Sequence, residues 1–161
     1  MNKLTLERLK ELFEYDPLTG IFTRNGKIAG STSGPYTIIW IDRHWYKAHD
    51  LAWFYTHGIW PDFLIDHENG DGHFNALTNL RKADYSTNGA NRKLNKNNSI
   101  GFKGVRKYRD GFLAALVVSG KTFYGTKRMN AKEAALDYDK LAVYHFGEFA
   151  KTNQMMGLFH D

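Results

Sequence analysis

An acid stands beside a histidine at Asp66-His67, and three asparagines follow at Asn75, Asn79 and Asn88. Carboxylate and amide oxygens suit a hard divalent cation such as Mg²⁺, which takes few protein ligands and keeps several waters. A histidine, with an ordinary pKa of about 6.5, can accept a proton from water near neutral pH. With Asp66 and Asn88 as oxygen donors and His67 as the base, the pattern predicts a site that hydrolyses phosphodiesters.

The residues around this pattern, 62 to about 93, predict a compact β-turn-β-helix element. Short apolar strands flank a turn rich in Gly and Asn, and a polar helix follows. Neighbouring residues of a strand point to opposite faces, so Asp66 and His67 share a site only where the strand ends or twists. The Asn-Gly turn that follows permits this, and the helix would return Asn88 toward the hairpin.

The chain before this element is predicted to combine two helices with short strands. Leucines at helical spacing indicate an amphipathic helix over about 5–14, which Thr5 would cap. Strands are predicted at 21–24, 36–41 and 45–47, and a second helix at 49–57. We expect the large aromatic residues here to lie in the core, namely Trp40, Trp45, Trp53 and Phe54.

The chain after this element is predicted to be a small sheet with one helix. The Asn- and Lys-rich stretch 94–101 has the composition of an exposed linker, which predicts a domain boundary there. Strands are predicted at 104–108, 112–118 and 121–124, and the Gly turns between them indicate an antiparallel meander. A helix capped by Asn130 would cover one face. The predicted fold class is α+β.

The overall composition is that of a folded protein, with 42% hydrophobic and 24% charged residues among 161. The absence of cysteine excludes disulfides, thiolate zinc sites and cysteine nucleophiles, and it is compatible with an intracellular location. No apolar stretch approaches the roughly 18 residues of a membrane span, and the N-terminus has no signal-peptide pattern. We therefore expect no membrane partner.

Positive charge is concentrated in one part of the chain. The net charge is +5, and the stretch from Arg81 to Arg109 contains nine basic residues against one acid, Asp84. Such a stretch is typical of a surface that binds a polyanion. The candidate DNA contacts are Arg81, Arg92, Lys93, Lys103, Arg106, Lys107, Arg109 and Lys121.

The candidate site resembles the HNH nuclease motif of phage and intron-encoded homing endonucleases. The resemblance rests on Asp66-His67, Asn75, 78–81, Thr87-Asn88 and Asn91-Arg92, and it extends upstream through 13–24 and 48–53. It implies a nuclease domain over 1–93 with a ββα-metal core at about 62–93.

The same resemblance implies a role for each residue of the site. His67 would be the general base, and Asp66 and Asn88 would be ligands of Mg²⁺, with Mn²⁺ as an alternative. Asn79 would brace the histidine loop, and Asn75 is the other candidate for the middle position. Many HNH enzymes have histidine where this chain has Asn88, and the amide oxygen favours Mg²⁺ over zinc.

The C-terminal part resembles the Apetala-type, or ethylene-response-factor, DNA-binding domain. The matching residues are 104–106, Gly125, 133–135, 138–139 and 147–150. The resemblance implies a domain over 102–156 whose sheet lies in the major groove of double-stranded DNA.

Arg106 matches an arginine that contacts DNA in the plant domain. Lys103 and Lys121 stand at positions where the plant domain has other arginines. Different residues replace further plant DNA contacts, namely Tyr108, Asp110, Leu116 and Val118. The plant sequence specificity therefore does not carry over.

The leading functional hypothesis is a Mg²⁺-dependent DNA endonuclease of homing type, acting in bacterial or phage-infected cytoplasm. Two alternatives stay open: a catalytically silent, sequence-specific DNA-binding protein, and a nuclease directed at RNA. Nothing in the chain has the heptad spacing of a coiled coil. We expect a monomer, with a dimer as the alternative.

Overall fold

The computed structural model describes residues 4–159. The chain forms two compact units, one ending at Ala83 and the other beginning at Asp84. Helices and small antiparallel sheets occur in both, so the predicted α+β class is confirmed. Within the described residues, no helix has the length and apolar character needed to cross a bilayer.

The described part of the first unit, residues 4–83, contains two helices and seven short strands. Its helices are α1 (Leu6–Leu12) and α2 (Ala48–His57), and Leu77–Asn79 form a single 3₁₀ turn. Its strands are β1 (Glu14–Asp16), β2 (Ile21–Arg24), β3 (Lys27–Ile28), β4 (Ile38–Ile41), β5 (His44–Lys47), β6 (Leu64–His67) and β7 (Leu80–Ala83). They form one three-stranded sheet, β1-β2-β3, and two hairpins, β4-β5 and β6-β7. All pairs are antiparallel. Short turns join the strands of every pair except β6-β7, whose strands are joined by residues 68–79.

One hydrophobic core joins these elements. Leu9 of α1 and Leu51 of α2 are fully buried, together with Phe22 of β2 and Ile41 of β4. The side chain of Thr5 accepts a hydrogen bond from the backbone N–H of Arg8 and caps α1, as its sequence position predicts.

Two tryptophans that were expected in this core lie on its surface. Trp40 and Trp45 are 49% and 58% exposed and face each other across the β4-β5 hairpin, with ring centroids 5.0 Å apart. Their core assignment is therefore wrong. In β4 the buried residues are Ile39 and Ile41, and alternation along a strand turns Trp40 to the other face. Both faces of this strand are apolar in sequence, so the pattern alone could not identify the buried one.

Among residues 84–159, the second unit contains a three-stranded sheet and two helices. Its elements are α3 (Tyr85–Ala90), β8 (Val105–Tyr108), β9 (Gly111–Val118), β10 (Lys121–Tyr124), α4 (Ala131–Phe146) and a 3₁₀ turn at Gly147–Phe149. The strand order is β10-β9-β8, and both pairs are antiparallel. Ala114 and Leu116 of β9 pack with Tyr138 and Ala142 of α4. One face of the sheet is thus covered by α4.

The division between the units precedes the stretch that composition suggested as a linker. It lies at 83/84, so α3 is grouped with the C-terminal sheet and not with the hairpin that carries Asp66. Residues 94–101 also make ordered contacts inside the second unit. The Asn98 side chain accepts hydrogen bonds from the N–H groups of Ile100 and Gly101 and donates one to the carbonyl of Phe102.

Candidate active site

The β6-β7 hairpin carries the acid and the histidine at its end. In its register Asp66 lies opposite Arg81, and His67 lies opposite Leu80. The loop 68–79 joins the two strands. Both Asp66 and His67 are buried, at 4% and 5% exposure, which is unusual for ionisable side chains and requires polar partners.

The partner of Asp66 is the residue opposite it. The Nε and one terminal nitrogen of Arg81 both lie 2.9 Å from Oδ2 of Asp66. Arg81 was predicted to contact DNA, whereas here its guanidinium pairs with the carboxylate. A guanidinium at hydrogen-bond distance offsets the cost of burying a negative charge. Arg81 therefore holds Asp66 in place as a buried carboxylate.

The partner of His67 is Asn75. Its Oδ1 lies 3.0 Å from Nε2 of His67, and its Nδ2 donates to the carbonyl of His73. Because a carbonyl only accepts, the bond to His73 fixes which end of the amide faces the imidazole. An amide oxygen also only accepts, so Nε2 of His67 carries the hydrogen. The lone pair of the neutral ring is then on Nδ1, which is the nitrogen that can act as a base.

Asn79 organises the loop between the strands. Its Oδ1 accepts from the N–H of Asn69, and its Nδ2 donates to Oδ1 of Asn69 and to the carbonyl of Phe74. These bonds tie both ends of the loop to one buried side chain. Asn79 thus braces the loop, and Asn75 is the asparagine that touches the histidine.

Residues far away in sequence support the Asn75 backbone. The hydroxyl of Tyr15 donates to the carbonyl of Asn75 at 2.8 Å. Gly20 has φ +75°, and a Cβ built there would overlap the backbone of Asn75 and Ala76. Only glycine fits such a close approach at a left-handed backbone position. The Asp-Pro-Leu-Thr-Gly turn therefore has a positioning role at the site, which the local sequence pattern did not reveal.

Burial lowers the pKa of His67 below its ordinary value, and the hydrogen bond from Nε2 to Asn75 opposes that shift in part. The imidazole is therefore neutral at pH 7. A neutral imidazole with its tautomer fixed by a hydrogen bond is competent to accept a proton.

The third member of the predicted motif lies in the second unit. Asn88 is a half-buried residue of α3, which Asp84 caps by accepting a hydrogen bond from the N–H of Thr87. Arg92 and Lys93 follow this helix, and both are exposed. Asp66 and Asn88 thus belong to different compact units. Their joint use as metal ligands stays a prediction.

Within residues 4–159, no cluster of three or more His, Cys, Asp or Glu side chains could hold a metal ion. A Mg²⁺ site made from one carboxylate, one amide and phosphate oxygens does not need such a cluster. Asp66 is a buried oxygen donor, so its chemistry fits this kind of site.

Lys103 has a different role from the predicted DNA contact. Its Nζ donates to the carbonyls of Ala90, Arg92 and Lys151 at 2.6, 2.7 and 3.0 Å. Burial lowers the pKa of Lys103 to about 8, so the ammonium is still charged at pH 7. An ammonium has three N–H donors, and all three have acceptors here. Lys103 therefore stabilises the second unit instead of contacting a phosphate.

The face of the sheet opposite α4 combines basic and aromatic side chains. Arg106 is exposed on this face, and its Cζ lies 4.9 Å from the ring centroid of Tyr124. Arg109, in the turn after β8, lies 5.4 Å from the ring of Tyr108. Stacked guanidinium groups keep their N–H donors pointing outward. This face is therefore suited to contact an anionic partner.

Two lysines that were predicted to contact DNA lie on the other face of the sheet from Arg106. Lys107 pairs with Phe112, and Lys121 pairs with Val118. Phe112 and Val118 pack in the clusters under α4, so the two lysines are on that side of the sheet, at its exposed edges. Strand alternation thus separates these lysines from Arg106.

Comparisons with protein-family models, with curated proteins and with solved structures found no match to this chain.

Replacing Asn75 tests the role of the hydrogen bond to His67. Asn75→Ala removes the acceptor for Nε2–H, so the ring can rotate and exchange its tautomer. We expect the rate of any reaction that uses His67 as a base to fall about 10- to 100-fold. Asn75→Asp keeps an acceptor oxygen and should retain more activity. Equal activities of wild type and Asn75→Ala, measured at pH 8, would contradict this role.

Proposed function

We propose that this chain is a Mg²⁺-dependent DNA endonuclease that hydrolyses phosphodiester bonds. The observation that carries the proposal is the arrangement at the end of β6. A neutral His67, with Nε2–H bonded to Asn75 and its lone pair on Nδ1, adjoins a buried carboxylate, Asp66, on the same hairpin. A positioned base beside an oxygen donor is the minimum that hydrolysis of a phosphodiester needs.

The residues of the chain would take part in hydrolysis in the following order. Nδ1 of His67 takes a proton from a water molecule, and the water oxygen attacks phosphorus. The bond from phosphorus to the leaving ester oxygen then breaks. Asn75 holds the imidazole during proton transfer, and Asn79 keeps the loop rigid around it. Rigid placement matters because a base contributes about 10²- to 10⁴-fold only when it is positioned.

Asp66 and Asn88 would hold Mg²⁺, and the bound ion would offset negative charge on the phosphate and on the leaving oxygen. Arg81 supports this assignment, because its contact with Oδ2 keeps the Asp66 carboxylate in one orientation.

DNA fits the second unit as the substrate. The exposed face of its sheet carries Arg106 and Arg109 stacked on tyrosines, and basic side chains with aromatic platforms suit phosphates and bases. One His67 centre cuts one strand at a time, so a monomer would nick. A DNA substrate and a chain without cysteine also fit an intracellular location.

Incubating supercoiled plasmid with the protein, with and without Mg²⁺, tests the proposal. We expect nicked circles with Mg²⁺ and none with excess EDTA. Binding of duplex DNA without any cleavage would favour the silent DNA-binding protein. Cleavage of structured RNA but not of plasmid would favour the RNA-directed nuclease.

Substituting Arg106 tests the exposed sheet face. Arg106→Ala removes one phosphate-binding cation, so the slope of log affinity against log salt should become shallower by about 0.9. Affinity would be measured by fluorescence anisotropy with a labelled duplex at several salt concentrations. Lys140→Ala is the matched control, because Lys140 is an exposed cation of α4, on the other side of the sheet. Equal slopes for Arg106→Ala and wild type would show that this face of the sheet does not bind DNA.

A further inference from the structure

The two exposed tryptophans of the β4-β5 hairpin border a groove on the first unit. The groove has a volume of about 330 Å³, and its walls come from the end of α1, from β2, from residues 29–31 and from the hairpin. The residues that line it include Phe13, Arg24, Ser31, Ile38, Trp40 and Trp45. Pockets that bind small ligands have volumes of about 300–1,000 Å³. The groove therefore has room for one small molecule or for one unit of a polymer.

Hydrogen bonds hold the walls of the groove in place. The backbone N–H of Ser31 donates to the carbonyl of Ile38 at 2.8 Å, and the N–H of Ile38 donates to the carbonyl of Ser31 at 3.0 Å. Trp40 lies directly opposite Trp45 in the register of the hairpin. The groove is thus formed without a ligand, so binding would require little ordering of the chain.

Trp40 and Trp45 present open ring surfaces beside this groove. Their indole planes are tilted by 55° to each other, and about half of each side chain is exposed. A cross-strand aromatic pair stabilises a hairpin, but this contact leaves much of both rings in water. Adjacent exposed aromatic residues form an apolar patch of the kind that marks a binding site. Planar rings of a ligand could stack on them.

The charge at the groove indicates which planar ligand it suits. Among the described residues that line it, Arg24 is the only charged one, and its Cζ lies 5.5 Å from the ring centroid of the buried Phe13. Exposed Lys27 lies opposite Arg24 in the β2-β3 register. Asp42, in the turn of the hairpin, accepts two hydrogen bonds from Arg8. Aromatic surfaces beside a stacked guanidinium suit a planar base that carries a phosphate.

We propose that this groove binds one unstacked nucleotide of single-stranded DNA, with its base on the indole rings of Trp40 and Trp45 and its phosphate on Arg24. Every base has a π-face, so the groove accepts any sequence. A base inside an intact duplex is stacked on its neighbours and reaches the tryptophans only by leaving the stack. The choice of DNA rests on the proposed function, whereas the site for a base and a phosphate rests on the groove alone.

Tryptophan fluorescence isolates this site, because all four tryptophans of the chain lie within residues 40–60 and the second unit has none. The full chain would be titrated in EDTA with a short oligothymidylate and with an abasic strand of the same length. We expect the oligothymidylate to quench the fluorescence and the abasic strand to leave it nearly unchanged. Equal quenching by the abasic strand would overturn the proposal, since charge alone would then explain binding. Quenching by oligouridylate but not by oligothymidylate would overturn the choice of DNA.

Two substitutions test the ring and the cation separately. Trp45→Leu keeps an apolar side chain on the hairpin, and the affinity for oligothymidylate, followed by the fluorescence of Trp40, should weaken at least about 5-fold. Arg24→Gln should make the slope of log affinity against log salt shallower by about 0.7. Lys10→Gln is the matched control and should keep the wild-type slope. Lys10 is an exposed cation of α1 that lies over the ring of Tyr55.

Stability and assembly are measured on the same variants. A lower melting temperature of Trp45→Leu with wild-type affinity for oligothymidylate would overturn the proposal and leave the tryptophans a role in the hairpin only. A wild-type salt slope for Arg24→Gln would overturn the phosphate contact, even if Trp45→Leu failed to fold. A dimer in sedimentation that Trp45→Leu dissociates would instead assign the rings to a contact between two copies. Because the titration needs no cleavage, absence of nicking by the wild-type protein would overturn the proposed function alone.

Discussion

Asp66→Asn is expected to reduce Mg²⁺-dependent nicking of plasmid by at least about 10³-fold, with DNA affinity nearly unchanged. The substitution keeps the size of the side chain and one oxygen for Arg81, but it removes the negative charge that holds a hard cation. Asp66 is buried in the β6-β7 hairpin, and it is not among the residues proposed to contact DNA. The measurement is the rate of conversion of supercoiled to nicked DNA at saturating protein.

Asn88→Ala should give a comparable loss, because the amide is the second proposed oxygen ligand. Asp62→Asn is the matched control, since Asp62 is an exposed acid just before the same hairpin. Thermal melting of each variant separates loss of chemistry from loss of fold. Nicking at the wild-type rate by folded Asp66→Asn or Asn88→Ala would remove that residue from the metal site.

His67→Ala is expected to lower the nicking rate by about 10² to 10⁴, the usual contribution of a positioned general base. The proton acceptor is lost, while Asp66 and Arg81 are left in place. The affinity for Mg²⁺, taken from the metal dependence of the residual rate, should change little. His44→Ala is the control, because His44 is exposed in the β4-β5 hairpin.

The pH dependence of the wild-type nicking rate also tests whether His67 is the general base. Burial lowers the pKa of His67, so its neutral form persists to lower pH than that of an ordinary histidine at about 6.5. The rate should be constant between about pH 7 and 8 and should fall only below about pH 6.5, where protonation blocks Nδ1. His67→Ala should lack this decline. An identical acid decline in wild type and His67→Ala would assign it to another group.

Several local features could be predicted from the sequence because they depend on neighbouring residues. The Gly turns on either side of β9 and the caps Thr5 and Asn130 are set by backbone preferences over a few positions. Strand and helix periodicity likewise indicated the α+β class. Even so, alternation could not tell which face of β4 is buried, because Trp40 and Ile41 are both apolar.

Only the tertiary structure shows which groups the basic side chains contact. The pairing of Arg81 with Asp66 follows from strand register, and the three carbonyls around Lys103 come from α3, the segment after it and the C-terminal segment. A basic residue looks the same in sequence whether it contacts a phosphate, a carboxylate or a carbonyl. Its partner depends on chain segments brought together by folding, which charge patterns along the sequence do not encode.

In the candidate site, too, the sequence indicated the residue types and the tertiary structure decided their contacts. Its residue types, an acid and a histidine followed by spaced asparagines, were visible in the sequence, and they sufficed to suggest phosphodiester hydrolysis. The tertiary structure decided that Asn75 touches His67 and that Asn79 braces the loop. The physical reason is that hydrogen bonds and ring contacts act over a few ångströms, and the separation of residues along the chain does not determine which of them come that close.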